Sequence, residues 1–377
     1  MQASPSSQAG LPLPETLLAL APLRLPNHRR ERYVGDDLCV ELDRLATRDQ
    51  TLLRDLYRRL SELLFTIADP ATTDAQKWEG IEGWIDRHDL DAVIEDVREI
   101  GQASYELDPG EKLAKAMHDA RGGALSSLLG RLQMLGHLHA RPPVLNTLFV
   151  QVRDHLKIMR SALVGLDEER READREPKAH VMKLMLEKWH QSVVGPNWQQ
   201  RPIRMHIDCR YEGALTECCL ESAAMDRIFY NLANNACRHA ATERLDMTIF
   251  PVPDASGSCL RFVLSNEVND KDAAYLRSIT EGSQTHGSDR DREAPLLPLF
   301  TPRVSTTGSG FGLTVVADFV AGAFGLRDRV QALRERYVGA MLEDHTFRLW
   351  FHWPVGNSGL PPKKDDYHDP AHSLSEP

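Results

Sequence analysis

The chain has no excess of positive charge. Its 55 acidic residues outnumber 45 lysines and arginines, for a formal net charge of −10 at pH 7, which argues against a dedicated DNA-binding surface with its basic stripe. No stretch approaches the roughly 18 consecutive apolar residues of a membrane span. The N-terminus lacks the charged segment, apolar core and small-residue cleavage site of a secretory signal. The six cysteines (Cys39, Cys209, Cys218, Cys219, Cys237 and Cys259) show no metal-ligand spacing, so they read as reduced thiols. These absences predict a cytoplasmic protein that neither spans a membrane nor binds nucleic acid directly. What is present is ordinary for a soluble globular chain, with 42% hydrophobic and 27% charged residues. A length of 377 residues leaves room for two or three domains.

Composition and periodicity divide the chain. Residues 1–28 and the polar, proline-punctuated tail 356–377 are too poor in apolar surface to offset ordering entropy, so both are expected to be disordered. Residues 29–106 read as an all-α region for sensing or docking, with Leu53, Leu56, Leu60, Leu63 and Leu64 at helical spacing. Residues 107–178 read as a helical hairpin. Leu113, Met117, Ala120, Ala124, Leu128, Leu132 and Leu135 form one stripe on its first helix. The run His139–Pro143 stops that helix, because proline cannot continue it. Leu145, Leu148, Val152, Leu156, Met159, Leu163 and Leu166 repeat the rhythm on the second. The stripe has no obvious partner in the sequence, which predicts a homodimer closed as a four-helix bundle. Residues 179–355 alternate helical and strand-like texture and predict an α/β sandwich. Strands are expected at 203–209, 247–252, 259–266, 330–338 and 346–353, with a long loop between Glu281 and Gly308.

Two segments of this last region suggest phosphate chemistry. On a helix read from Asp226, the spacing of Asn231, Asn235, Arg238 and His239 places them along one surface. Carboxamide oxygens suit a hard cation such as Mg²⁺, and Arg238 and His239 are placed to meet phosphates. A polar helix face that merely meets solvent accounts for the same spacing. Downstream, Gly308, Gly310 and Gly312 lead directly into an apolar helix. Glycine lets the backbone approach an anion closely, and the helix N-terminus faces the same charge.

With the residues quoted, a resemblance takes shape. The segment NLANNACRHA resembles the N-box of the GHKL ATPase superfamily, and GSGFGL resembles its second glycine box. KAMHDARGGAL, residues 115–125, is similar to the H-box of sensor histidine kinases. The resemblance implies a Bergerat-type fold over residues 179–355 that binds ATP and Mg²⁺. Asn231 and Asn235 would lie by the metal, Arg238 and His239 by the phosphates, and Gly308, Gly310 and Gly312 in the mobile lid. It also implies that His118 is the nucleophile toward the γ-phosphorus. Asp119 would accept the proton of the ring's other nitrogen, and a response-regulator receiver domain would be the partner.

The sequence departs from that pattern at three places. Gly123 stands where many relatives carry a helix-bending proline, and with Gly122 it predicts a soft joint. Gly122 has no side chain to orient a water, which predicts weak phosphatase activity. Asn266 replaces the aspartate that meets the adenine amino group, and the glycines of that first box are missing, which predicts weaker nucleotide binding. Two functions therefore stay open, while the long hairpin argues against a third, a GHKL regulatory binding module in which His118 is incidental. One is a histidine kinase that phosphorylates His118 from ATP; the other is a phosphotransfer or docking protein with a degenerate ATP domain.

Overall fold

The computed structural model describes residues 14–22, 25, 38–107, 110–122, 124–135, 142–190, 193–194, 203–252, 259–284, 297–301 and 311–355. The chain falls into two compact units. One takes Gly35–Pro177 and Cys218–Tyr230; the other takes the N-terminal residues to Val34, Lys178–Glu217 and Asn231–Gly359. A short helix, α1 (Glu15–Ala19), belongs to the second unit.

The first unit is helical: α2 (Thr47–Ala68), α3 (Asp74–His88), α4 (Leu90–Glu99), α5 (Gln102–Leu107), α6 (Glu111–Arg121), α7 (Ala124–Leu135), α8 (Pro142–Ala162) and α9 (Glu168–Arg175). Two-residue strands β1 (Val40–Glu41) and β2 (Leu163–Val164) pair in parallel beside them. Local chemistry sets the boundaries. Thr73 and Gln76 form a reciprocal capping box at the start of α3. At α5, the buried Asp49 carboxylate accepts from the Gly101 N–H at 2.8 Å and the Ser104 N–H at 2.7 Å, satisfying donors that a helix start leaves unpaired.

The leucines of α2 and the stripes of α6, α7 and α8 lie in a single buried cluster. Each fully buried leucine, such as Leu60 or Leu128, contributes roughly 1.5–3 kcal/mol. In this cluster α8 packs on α2, α6 and α7, while α4 packs on α2 and α7. The ring of α2, α8, α7 and α4 is thus a four-helix arrangement made by one chain. This corrects the reason for expecting a homodimer: the stripe is already covered by helices upstream of it. It also joins residues that the sequence pattern had assigned to separate regions, 29–106 and 107–178. A second correction concerns the first hairpin helix. It is two helices, broken where Gly122 turns to extended geometry (φ −96°, ψ −163°).

The second unit is built on a mixed six-stranded sheet. Its strands are β4 (Val193–Val194), β5 (Ile203–Cys209), β7 (Arg244–Pro251), β8 (Cys259–Glu267), β9 (Val338–Glu343) and β10 (Thr346–Pro354), in the order β4-β5-β7-β8-β10-β9. β5 and β7 are parallel and the other pairs antiparallel. A separate antiparallel pair joins β3 (His180–Val181) to β6 (Ala214–Thr216). The unit's other helices are α10 (Met182–Trp189), α12 (Asp270–Gln284), α13 (Gly312–Ala323) and α14 (Arg329–Arg334). Helix α11 (Cys219–His239) gives its residues to Tyr230 to the helical unit and those from Asn231 to this one.

Burial on both faces explains the near-continuous apolar runs of β8 and β10. Phe262 and Phe351, paired in register, stack at 4.5 Å on one face. Their neighbours Val263 and Trp350 point to the opposite face and, with Phe250, cover Leu20 and Ala21.

Three local expectations are corrected here. Residues 14–22 are not a loose leader, because α1 and the turn after it dock on the sheet. Residues 329–334 are helical rather than a strand, capped by Asp328, whose carboxylate accepts from the Gln331 N–H. The asparagine-bearing helix begins at Cys219, not Asp226, and α12 is an element that the periodicity did not signal. Among the described residues, no helix is long and apolar enough to cross a membrane.

Candidate functional site

In the helical unit, α6 carries Lys115, His118, Asp119 and Arg121 among buried Leu113, Met117 and Ala120. Adjacent positions on a helix diverge by about 100°, so Asp119 turns into the core while His118 stays near the surface. The His118 side chain keeps 20% of its exposure and that of Asp119 only 3%. The His118 Nδ1 and Asp119 Oδ1 atoms lie 3.2 Å apart. The other carboxylate oxygen, Oδ2, accepts from Arg227 Nε at 2.7 Å and also from Arg227 Nη2. Burial works to raise the Asp119 pKa, but the Arg227 guanidinium and the His118 ring outweigh it, and the pKa is lowered. Asp119 is therefore an anion at neutral pH, and the His118 nitrogen facing it must be the protonated one.

Sequence reasoning missed Arg227. The contact spans 108 residues, so no local spacing could reveal it, although a charge amid the apolar run MDRIFYNL is itself a signal. It also missed His155 on α8, which is fully buried. Burial pushes its pKa down to about 4, against smaller opposing effects of the Ala120 backbone and Asp119.

In the mixed unit, Asn231 is buried and Asn235 half-buried. One helical turn separates them, and both face the start of α13. A Cβ placed on Gly312 would lie 3.1 Å from Asn235 Nδ2 and 3.3 Å from Asn231 Oδ1. The helix start and the two carboxamides thus converge at a distance that glycine suits. Thr314 fixes the first turn of α13 by donating to the Phe300 carbonyl at 3.1 Å.

Arg238 is exposed. His239 faces α12, its Nδ1 3.2 Å from Asp272 Oδ2, so its ring is engaged by a carboxylate. Asn266 is buried on β8 and donates through Nδ2 to the Glu267 carbonyl at 3.3 Å. Gly308 and Gly310 lie outside the described residues. The structure therefore brings together His118 with Asp119, and Asn231 and Asn235 with Gly312.

A magnesium nucleotide can be tested against these residues. Two carboxamides and an uncapped helix start form a donor set of the kind that suits Mg²⁺ and phosphate oxygens. The close approach at Gly312 also fits such a group. Toward a nucleotide base, Asn266 would offer an amide oxygen without charge assistance.

No family model matches the chain, and no curated protein does. Among solved structures, the chain is similar to the histidine kinase AdeS of Acinetobacter baumannii. Identity is 17% and the TM-score 0.31, over 64% of this chain and 98% of that one.

Proposed function

We propose that the protein is a histidine kinase that takes the γ-phosphoryl group of ATP onto His118 and passes it to an aspartate on a response-regulator receiver domain. The observation that carries this reading is the contact between His118 Nδ1 and an ionised Asp119. It assigns the proton to Nδ1 and leaves the lone pair on Nε2, the nitrogen that would attack phosphorus. In this reading residues 179–355 form a Bergerat-type domain. Asn231, Asn235 and Gly312 would hold the Mg²⁺ and phosphates, and Asn266 would present its amide oxygen to the adenine amino group. Bound ATP–Mg²⁺ would supply the electrophilic γ-phosphorus. His118 contributes the electron pair of the new P–N bond as the P–O bond to ADP breaks. Asp119 balances the positive charge that develops on the ring.

Incubation with Mg²⁺ and γ-labelled ATP tests this directly. Acid-labile label on the protein, absent from His118→Gln, is the expected result; equal labelling of both proteins refutes it.

A second reading is favoured by Asn266, where the nucleotide end loses a carboxylate, and by a helical bundle complete within one chain. There His118 receives its phosphoryl group from a receiver domain and relays it onward. Label reaching His118 from a phosphorylated receiver but never from ATP would select this reading over the kinase.

A further inference from the structure

We infer that Arg227 is a positioning residue for His118: by holding the Asp119 carboxylate ionised and oriented, it fixes the imidazole tautomer that makes Nε2 nucleophilic. The inference rests on His118 being the phosphoryl acceptor.

The geometry divides the Asp119 carboxylate between two partners. Arg227 donates to Oδ2 through both Nε and Nη2, while Oδ1 faces His118 Nδ1 at 3.2 Å. All three residues belong to the helical unit. Asp119 and Arg227 side chains are 3% and 1% exposed, so water cannot take over either role. A buried carboxyl without a cation becomes neutral. A neutral carboxyl can donate a hydrogen bond to Nδ1, which favours the tautomer with its proton on Nε2 and blocks attack from that nitrogen. His155 on α8 also lies near Asp119, and its burial keeps it uncharged at neutral pH. It therefore cannot replace the guanidinium.

A buried ion pair that only stabilised the fold would be indifferent to which ring nitrogen of His118 carries the proton. Amide substitution separates the two roles. In Asp119→Asn, the guanidinium still needs an acceptor and takes the amide oxygen. The amide nitrogen is then turned toward His118 Nδ1 and forces the opposite tautomer. When Arg227→Met is added, nothing demands the oxygen on that side. The amide rotates, its oxygen accepts from Nδ1–H, and the original tautomer returns. The double variant also removes the buried cation that Asp119→Asn alone leaves uncompensated, so it protects folding.

The experiment uses the full chain isotope-labelled in its histidine rings, with His118 assigned by the His118→Gln variant. The tautomer is read by two-bond hydrogen–nitrogen correlation in the wild type, Asp119→Asn and Asp119→Asn/Arg227→Met. The expected order is Nδ1–H, Nε2–H, Nδ1–H. Phosphoramidate then probes reactivity without nucleotide: its P–N bond breaks as the P–Nε2 bond forms and ammonia leaves. The Nε2 product should fall about tenfold or more in Asp119→Asn and recover in the double variant. An Asp119→Asn tautomer that is the same with and without Arg227→Met overturns the inference. Because neither readout needs ATP, failure of ATP labelling would sink the kinase reading and leave this result standing on its own.

Discussion

Replacing Arg261 with methionine should detach the N-terminal segment from the sheet while leaving the sheet intact. Arg261 is fully buried on β8. Its Nη1 donates to the Leu17 and Leu18 carbonyls at 3.1 and 2.9 Å, and its Nη2 to those of Ala21 and Pro22 at 3.0 and 2.8 Å. These carbonyls lie in and just after α1, where a helix presents unpaired acceptors and the negative end of its dipole. Arg261 Nε donates to His352 Nε2 at 2.9 Å, and His352 Nδ1 sits 2.8 Å from the Tyr337 carbonyl. The ring is therefore protonated at Nδ1 and neutral. Hydrogen bonds to a charged donor are each worth roughly 1.5–3 kcal/mol. The carbonyls can recover water once the segment lifts, and methionine avoids the cost of burying a cation. The net loss of docking free energy is then about 3 kcal/mol, roughly two orders of magnitude in the opening equilibrium. Hydrogen exchange of residues 15–22 should accelerate by about that factor, while the amides of β7, β8 and β10 keep their protection. His352, whose pKa is pushed down to about 3 by burial and then by Arg261, should titrate higher, though still below 6.5 because burial persists. Unchanged protection of residues 15–22 in a folded Arg261→Met protein would refute the reasoning.

Three other outcomes follow from particular residues. Alanine at Gly122 would place a Cβ 2.6 Å from the His118 carbonyl oxygen, which forces the backbone to move. Gly122→Ala should cost roughly 1–3 kcal/mol by denaturant unfolding, and an unchanged midpoint would contradict that. His155 stays neutral in the fold down to a pKa of about 4, whereas an unfolded histidine protonates near 6.5. Its share of stability is thus whole above about pH 6.5 and declines toward pH 4, by about 3 kcal/mol in all. His155→Gln should flatten that part of the pH–stability curve, and an unaltered slope would refute the assignment. Gly312→Ala should weaken magnesium-nucleotide binding, measured by calorimetry, because its Cβ crowds Asn231 and Asn235; equal affinity in a folded variant would remove Gly312 from the site.

The helices were legible where a face repeats, and less so where partners are distant. The spacing of Leu53 to Leu64 and of Leu113 to Leu135 predicts which residues are buried, and they are. Spacing does not name what covers them, so the stripes of the hairpin pointed to a second chain when α2 packs on α8 and α4 on α7. Gly122 and Gly123 signalled a soft joint, and the structure has a full break there. The apolar residues from Val330 suggested a strand, whereas the Asp328 carboxylate caps a helix over Arg329–Arg334. Residues 14–22 look loose by composition because much of their stabilisation comes from Arg261 and a sheet face more than two hundred residues away. The His118–Asp119 pair was legible because it is local. Arg227, which completes it, is placed only by the tertiary fold.

The central claim is that His118 takes the phosphoryl group. Trypsin should cut after Lys115 and Arg121, and residues 116–121 contain a single histidine. After incubation with Mg²⁺ and ATP and digestion at neutral pH, mass spectrometry should find that peptide heavier by one phosphoryl group, with the fragment ions placing it on His118. A phosphoryl group on any other residue, with this peptide unmodified, would contradict the account.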